Sequence, residues 1–427
     1  MSFIRYGAGF AASTLVRVVS GLLVVKMMAW NLGPEAFGVL GQMMSIVAVT
    51  NMFAAGGISV GLTKRLSEKI ELSEYQKRLG SANVVCVLSS TTVSVILLVS
   101  ASYISSKLFS GYEFTIVISA LAFSHWCVGF YQLVQSIFSS REDIHGLVMV
   151  NVFGTVLGAA VFLAALWLGG VTGAAYGLVL MPAMNGVVAL IIALYRCPSD
   201  ISLLQWNVDR KELIELASYS AVMLISAAAV PLAQLGVRNV LGEKFGWEFV
   251  GFWQGSLKIS DVYMQFIGMI LANYALPKFS AAASLKEVSI ILRNFCYFLF
   301  PLSLLMFSFI FLTRNIIINL LFSESFEPMA SLFLPQMGGD FLRIFSSIIT
   351  YVFLSRGYRR IAILSELVQA GFLYGLSFVL VPKFGAMGPA YSYLLTSVIV
   401  LIIMLFSYAR LHAVVPLDAK DNPAYGG

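Results

Sequence analysis

Charged side chains are scarce in this sequence: Lys, Arg, Asp and Glu together make up 11% of its 427 residues, against about 25% in an ordinary soluble domain. Twenty-seven basic and 21 acidic groups cannot cover a 46.6 kDa globule, which excludes the soluble, secreted and disordered classes. Cysteine is equally sparse. Cys86, Cys127, Cys197 and Cys296 show no CxxC spacing, and three of them sit inside apolar runs, so neither a disulfide framework nor a zinc site is indicated. There is no Walker A stretch, no HExxH and no GxSxG elbow, which argues against a nucleotide-driven motor, a metal centre or acyl-transfer chemistry. No loop is long enough to house a soluble catalytic domain. The expectation is a protein that is not an enzyme and needs no cofactor or metal.

What fills the sequence is apolar: 59% hydrophobic residues and a mean hydropathy of +0.88. Runs long enough to cross a bilayer fall at 4–30, 37–63, 80–106, 112–139, 147–168, 172–196, 213–240, 249–276, 287–313, 329–355, 361–381 and 386–411. They predict an all-α polytopic membrane protein with twelve transmembrane helices. The first run, to Trp30, is longer than a signal-peptide core and reads as a retained helix. A net charge of +6 would suit a nucleic-acid binder, but its distribution argues otherwise. With the N-terminus inside, 18 Lys and Arg residues fall in inner caps and loops and only Lys107, Lys244, Arg314 and Lys383 fall outside. That asymmetry reports topology, with both termini cytoplasmic, and no nucleic-acid partner is expected.

The two halves repeat. At an offset of 215, Phe138, Ser140 and Arg141 match Phe353, Ser355 and Arg356, and Gly170, Gly173, Ala175 and Tyr176 match Gly385, Gly388, Ala390 and Tyr391. An offset relating the first predicted helix to the seventh joins halves of even helix number, so the repeats are parallel, two six-helix bundles around a central cavity. The expected organisation is an N-terminal bundle over 1–196, a cytoplasmic linker over 197–212, a C-terminal bundle over 213–411 and a cytoplasmic tail over 412–427.

Inside the predicted spans lie five basic residues, Arg17, Lys26, Arg238, Lys258 and Arg343, and three acidic ones, Asp261, Asp340 and Glu366. Each is costly in hydrocarbon and so a functional candidate. Gln254, Lys258, Asp261 and Gln265 share one helical stripe, as do Gln336, Asp340, Arg343 and Ser347. The repeat partner of Asp340 is His125, which forms a third stripe with Gly129, Gln132 and Ser136. A plainer reading makes Lys258 with Asp261, and Asp340 with Arg343, ion pairs that only fix packing. Arg17 lies about 20 Å along its helix from Ile4, near mid-membrane and without an acidic neighbour within a turn, which favours a hydrated cavity or an anionic ligand. Lys26 can snorkel to the outer face. Arg238 follows Pro231, where a kink is expected. Glu366 sits close to Arg359 and Arg360 and reads as an interfacial pair. Arg17, Lys26, Arg238, Lys258, Arg343, Gln254 and Gln336 are the expected cavity residues. Asp340, Asp261, His125 and Glu366 are the candidates for coupling to a proton or sodium ion.

The segments AASTLVRVVSGLLVVK at 11–26, LGPEAFG at 32–38 and AAGGISVGLTKRLSE at 54–68 resemble the start of the Wzx polysaccharide flippases. That family belongs to the multidrug, oligosaccharidyl-lipid and polysaccharide exporter superfamily. The stretch LLFSESFEPMASLFLPQMGGDFLRIFSSIITYVFLSRG at 320–357 resembles it too, including a Gln-x-x-Gly-Asp pattern at Gln336, Gly339 and Asp340. The resemblance is strongest with the branch containing enterobacterial common antigen flippases. It implies movement of an undecaprenyl-diphosphate-linked oligosaccharide, an O-antigen repeat unit or lipid III, from the cytoplasmic to the periplasmic leaflet of the bacterial inner membrane. The partners it implies are that glycolipid, membrane lipids and downstream polysaccharide polymerase machinery.

This reading agrees with the residues. A diphosphate needs cations, Arg above all for its two-pronged contact with phosphate oxygens, and Trp126, Tyr131, Trp253 and Tyr263 could stack on sugars or simply pack. Three alternatives stand beside it. A multidrug and toxin cation antiporter would suit an acidic cavity, whereas here bases outnumber acids. A lipid II flippase would be about two helices longer. A membrane polymerase would carry a large periplasmic loop.

Overall fold

The computed structural model describes residues 2–68, 71–109, 111–196 and 208–414, and every regular element among them is helical. Seven of these helices are long and apolar enough to cross a membrane, so the chain is an all-helical, multi-pass membrane protein. Residues 197–207 of the expected linker, with Cys197, and residues 415–427 of the expected tail lie outside the described residues.

The chain divides into two compact units. One comprises Met1–Leu32 with Val39–Pro231 and the other Gly33–Gly38 with Leu232–Gly427. The first holds most of α1 (Ser2–Phe53), α2 (Ser59–Leu66), α3 (Leu72–Leu108), α4 (Thr115–Ser140), α5 (Ile144–Arg196) and the start of α6 (Arg210–Phe245). In it, α4 packs between α3 and α5. The second holds α7 (Trp247–Ile270), α8 (Leu276–Ala281), α9 (Leu285–Leu312), α10 (Arg314–Leu321), α11 (Phe333–Ser355), α12 (Arg359–Phe384) and α13 (Gly388–Val414). Here α11 is central, packed on α13, α9, α12 and α7. A π-helical turn, Leu271–Ala275, joins α7 to α8.

In hydrocarbon a helix can reverse or break only where the freed backbone groups find partners. Gly33 (φ 73°) interrupts α1, Gly170 (φ 53°) interrupts α5, and Gly385 (φ 56°) caps α12. Each is a left-handed turn that lacks the Cβ penalty, so one long apolar helix becomes two rods. The ends of α5 are fastened together. Asp143, just before its first residue, accepts from Arg196 Nε and Nη2 at 2.8 Å each and from the Gly146 amide at 3.0 Å, serving as helix cap and ion-pair partner at once.

The predicted span 37–63 is not one helix. It breaks over Ala54–Ile58, where Gly56 (φ 64°) and Gly57 (φ 70°) turn the chain. A Cβ on Gly57 would sit 2.8 Å from Leu224 Cγ. The freed carbonyls are met by side chains of α3 and α4. Ser89 Oγ donates to Phe53 O at 2.5 Å, Ser90 Oγ to Ala54 O at 2.6 Å and Gln132 Nε2 to Asn51 O at 2.7 Å. Beyond the break, α2 ends in a charged cluster. Arg78 bonds Glu68 Oε2 and Arg65 O, each at 2.6 Å, and Arg65 pairs with Glu212 of α6 at 2.5 Å.

Burial opposes ionisation of Asp143, but the Arg196 hydrogen bonds and the Gly146 amide outweigh it and hold the carboxyl below its ordinary range. A group of this kind stabilises the fold above its unfolded pKa of about 3.9, and the contribution is lost as pH falls through the lowered folded value. Asp143→Asn should therefore lower the thermal unfolding midpoint at pH 7. In parallel melts at decreasing pH, the gap from the unmodified protein should close below about pH 4.

Candidate functional site

The predicted polar stripes of the second unit converge on Asp340. Its carboxylate, 1% exposed, accepts from three hydroxyls on two other helices: Ser260 Oγ to Oδ2 at 2.5 Å, Tyr263 OH to the same oxygen, and Tyr393 OH to Oδ1 at 2.6 Å. One turn earlier on α11, Gln336 Nε2 donates to Ser260 Oγ at 3.3 Å, while its Oε1 has no hydrogen-bond partner among the described residues. The donors on the carboxylate are neutral. Arg343, three residues further on, makes no ion-pair contact with Asp340 among the described residues. In place of the expected i,i+3 bridge to Arg343, the oxygens of Asp340 are taken by donors from α7 and α13.

The Gln-x-x-Gly-Asp pattern has a physical reason. A Cβ on Gly339 would lie 2.5 Å from Tyr393 Cδ1 and 3.3 Å from the Leu394 backbone. Only glycine lets α13 come close enough for Tyr393 to reach Asp340. At Gly338 an added Cβ would meet only the end of the Leu394 side chain, at 3.3 Å.

A second group joins α6 and α7. Arg238, 2% exposed, donates Nε and Nη2 to Gln254 Oε1 at 3.1 and 2.6 Å, and its guanidinium lies 5.6 Å from the centroid of the buried Trp253 ring. So enclosed, Arg238 and Gln254 hold α6 to α7. Lys258 and Asp261 do form the i,i+3 pair, at 3.0 Å, on an open flank where the Asp261 side chain is 63% exposed.

In the first unit, Arg17 is exposed and has no ion-pair partner among the described residues. The Tyr131 hydroxyl donates to Asn151 Oδ1 at 2.7 Å. Lys26 lies 5.1 Å over the Trp30 ring, the snorkelling arrangement expected near an interface. His125 is fully buried, and neither ring nitrogen has a hydrogen-bond partner among the described residues. The rest of its stripe serves the break in the second span: Gln132 caps Asn51 O, and Ser136 Oγ donates to Ser59 O at 3.2 Å. The structure thus joins Gln336 and Asp340 through Ser260 in one network and Arg238 with Gln254 in another.

Ser260 and Tyr393 are the partners that the residue pattern left unnamed. A signal for Tyr393 existed, since Ser392, Thr396 and Ser397 mark a polar face on an otherwise apolar helix and are all buried. Gly339→Ala should destabilise the folded protein by the roughly 1–3 kcal/mol of core overpacking, with Gly338→Ala far milder. Unfolding midpoints of the two variants, measured side by side, check this ordering.

A family model described as polysaccharide biosynthesis protein matches residues 27–331. Among curated proteins, the lipid III flippases of Escherichia coli (strain K12) and Shigella flexneri are each 28% identical over 400 residues, covering 93% of this chain and 96% of theirs. Among solved structures, the inward-facing form of a multidrug resistance MATE family transporter of the MOP superfamily is similar, with a TM-score of 0.77, 16% identity and coverage of 94% of this chain and 96% of that one. The lipid II flippase MurJ, in an inward closed conformation, has a TM-score of 0.66, 14% identity and coverage of 94% and 87%.

Proposed function

This chain belongs to the polysaccharide biosynthesis protein family, and on that premise we propose that it is a bacterial inner-membrane flippase. It carries an undecaprenyl-diphosphate-linked oligosaccharide of the lipid III or O-antigen class from the cytoplasmic to the periplasmic leaflet. The observation that carries the reading is the near full-length similarity to two lipid III flippases. The likeness to MATE and MurJ structures supplies a transporter fold. Charge supports the cargo: the intramembrane bases outnumber the acids five to three, and the exposed Arg17 is suited to grip a phosphate.

The finer architecture we propose is twelve crossings in two six-helix bundles, 1–196 and 213–411, joined by the linker 197–212, with N- and C-termini inside. Seven apolar helices, three of them doubled at Gly33, Gly170 and Gly385, together with the less apolar α6 and α7, account for twelve. The backbone supports the repeat. Gly170 (φ 53°, ψ −127°) and Gly385 (φ 56°, ψ −130°), at the offset of 215, share one conformation. The turns after α4 and α11 correspond bond for bond: Asp143 N donates to Phe138 O and Tyr358 N to Phe353 O, both at 2.9 Å.

In this reading Arg17 receives the diphosphate, with Lys26, Lys258 and Arg343 supplying further positive charge, and the buried Arg238, Gln254 and Gln336 position the helices that carry them. Asp340 is the leading candidate for ion coupling, ahead of Asp261, His125 and Glu366. An intramembrane carboxylate held by neutral hydroxyls can exchange a proton or sodium ion for those contacts, and the exchange would bias an alternating-access equilibrium.

Expression in strains each lacking one known flippase, scored by surface glycan, tests the cargo. Rescue of a glycan is the expected result, and rescue of drug resistance alone would point to an antiporter. Arg17→Ala should abolish rescue at matched membrane protein levels, and Arg17→Lys should be intermediate because it keeps charge without the planar fork. In vesicles, Asp340→Asn should remove the response of transport to a proton or sodium gradient while yield stays normal. Lower yield with an unchanged gradient response would return Asp340 to a packing role.

A further inference from the structure

The first unit carries a groove of about 770 Å³, in the size range of small-molecule sites, roughly 300–1,000 Å³. Its walls come from the last turns of α1 before the break, from one face of α3 and from the start of α6, represented by Phe53, Val85 and Ile214. The mouth is formed by Leu88, Ile96 and Ile214, all exposed. Leu88 and Ile96 lie on a helix apolar enough to cross the membrane, so the groove opens towards hydrocarbon.

Three observations say what it holds. The first is chemical. Hydroxyl groups line it at Thr50, Ser89 and Thr92, but each is turned back onto a backbone carbonyl: Thr50 Oγ1 to Val47 O at 3.1 Å, Ser89 Oγ to Phe53 O at 2.5 Å and Thr92 Oγ1 to Leu88 O at 2.8 Å. With those donors occupied, what faces the groove is methyl and methylene surface, unsuited to a sugar or a phosphate. The second is length. From Val85 to Leu97 the lined face of α3 runs about 18 Å at 1.5 Å per residue, close to one leaflet of a hydrocarbon core roughly 30 Å thick. An acyl chain of one leaflet matches that depth, whereas a long polyisoprenoid tail overruns it.

The third is charge at one end. One turn before Leu213 and Ile214, on the same face of α6, stands the exposed Arg210. Two turns before Val85 on α3 stand Lys77 and Arg78. Arg78 is engaged by Glu68 and Glu74, and Glu212 pairs with Arg65, so these three acids are already partnered. Lys77 and Arg210 have no ion-pair partner among the described residues. We infer that the groove is a binding site for an anionic phospholipid, one acyl chain lying on α3 and the headgroup phosphate held between Arg210 and Lys77.

The test is native mass spectrometry of the full-length protein in detergent, titrated with dioleoyl phosphatidylglycerol or with dioleoyl phosphatidylcholine, which has the same chains. Expected are preferential retention of phosphatidylglycerol and a loss of about fivefold of that preference in Arg210→Ala, the effect of one basic residue near a phosphate. Ile214→Trp, which fills the mouth, should abolish retention at this site. Thr92→Trp repeats the test if the first variant lacks an unchanged melting midpoint. Equal retention of the two lipids by the unmodified protein, or undiminished binding in both tryptophan variants, would overturn the assignment. Displacement of phosphatidylglycerol by equimolar undecaprenyl phosphate would overturn it too, giving the groove to an isoprenoid tail. None of these outcomes depends on transport, so the inference stands or falls apart from the flippase reading.

Discussion

A backbone carbonyl or amide freed from a helix inside hydrocarbon must find another partner, and the positions of the polar side chains in this protein follow from that requirement. Where the second span breaks at Ala54–Ile58, the exposed carbonyls would destabilise any bilayer-embedded chain. Ser89, Ser90 and Gln132 answer them from two neighbouring helices. The break is thereby fixed in place, and α3 and α4 are registered against it. Polar residues read along one helix as a stripe can therefore have a structural use, as Gln132 and Ser136 do, while a member of the same stripe, His125, is left without a hydrogen-bond partner among the described residues.

The second unit meets the same requirement at a buried carboxyl group. Asp340 is enclosed on the central helix α11, and its oxygens are supplied by Ser260, Tyr263 and Tyr393. Three hydroxyl donors satisfy the buried carboxyl group without a formal counter-charge in contact among the described residues. That arrangement differs from the contact pair of Lys258 and Asp261 on an open flank. Enclosure of Asp340 makes every one of its donors count, because losing one leaves a buried acceptor unmet.

Much of this was legible in the sequence, for physical reasons. Hydrocarbon imposes long apolar runs, so the membrane class and the approximate positions of the helices could be read from hydropathy. The turning glycines at 33, 170 and 385 stood at the run boundaries. The Gln336-Gly339-Asp340 pattern marked the residues that form the enclosed network. What could not be read were contacts between helices. Nothing in the spacing pairs Arg238 with Gln254, its partner on the next helix. Asp340 had Arg343 as its nearest neighbour along the chain, but donors from α7 and α13 take its oxygens. The break at Gly56 and Gly57 was masked because the residues on both sides are apolar enough to continue a span, and hydropathy averages over the interruption.

The turns after α4 and α11 share a backbone and differ in the residue that adopts it. The left-handed position is Gly357 in one and Glu142, at φ 55°, in the other. A side chain there costs roughly 1–2 kcal/mol, and the hydrogen bonds that close the turn, to Phe138 O and Phe353 O, are the same length in both. The same backbone path is thus held with and without a glycine at that position. Each turn is therefore set by the hydrogen bonds that close it and not by the residue at its left-handed position.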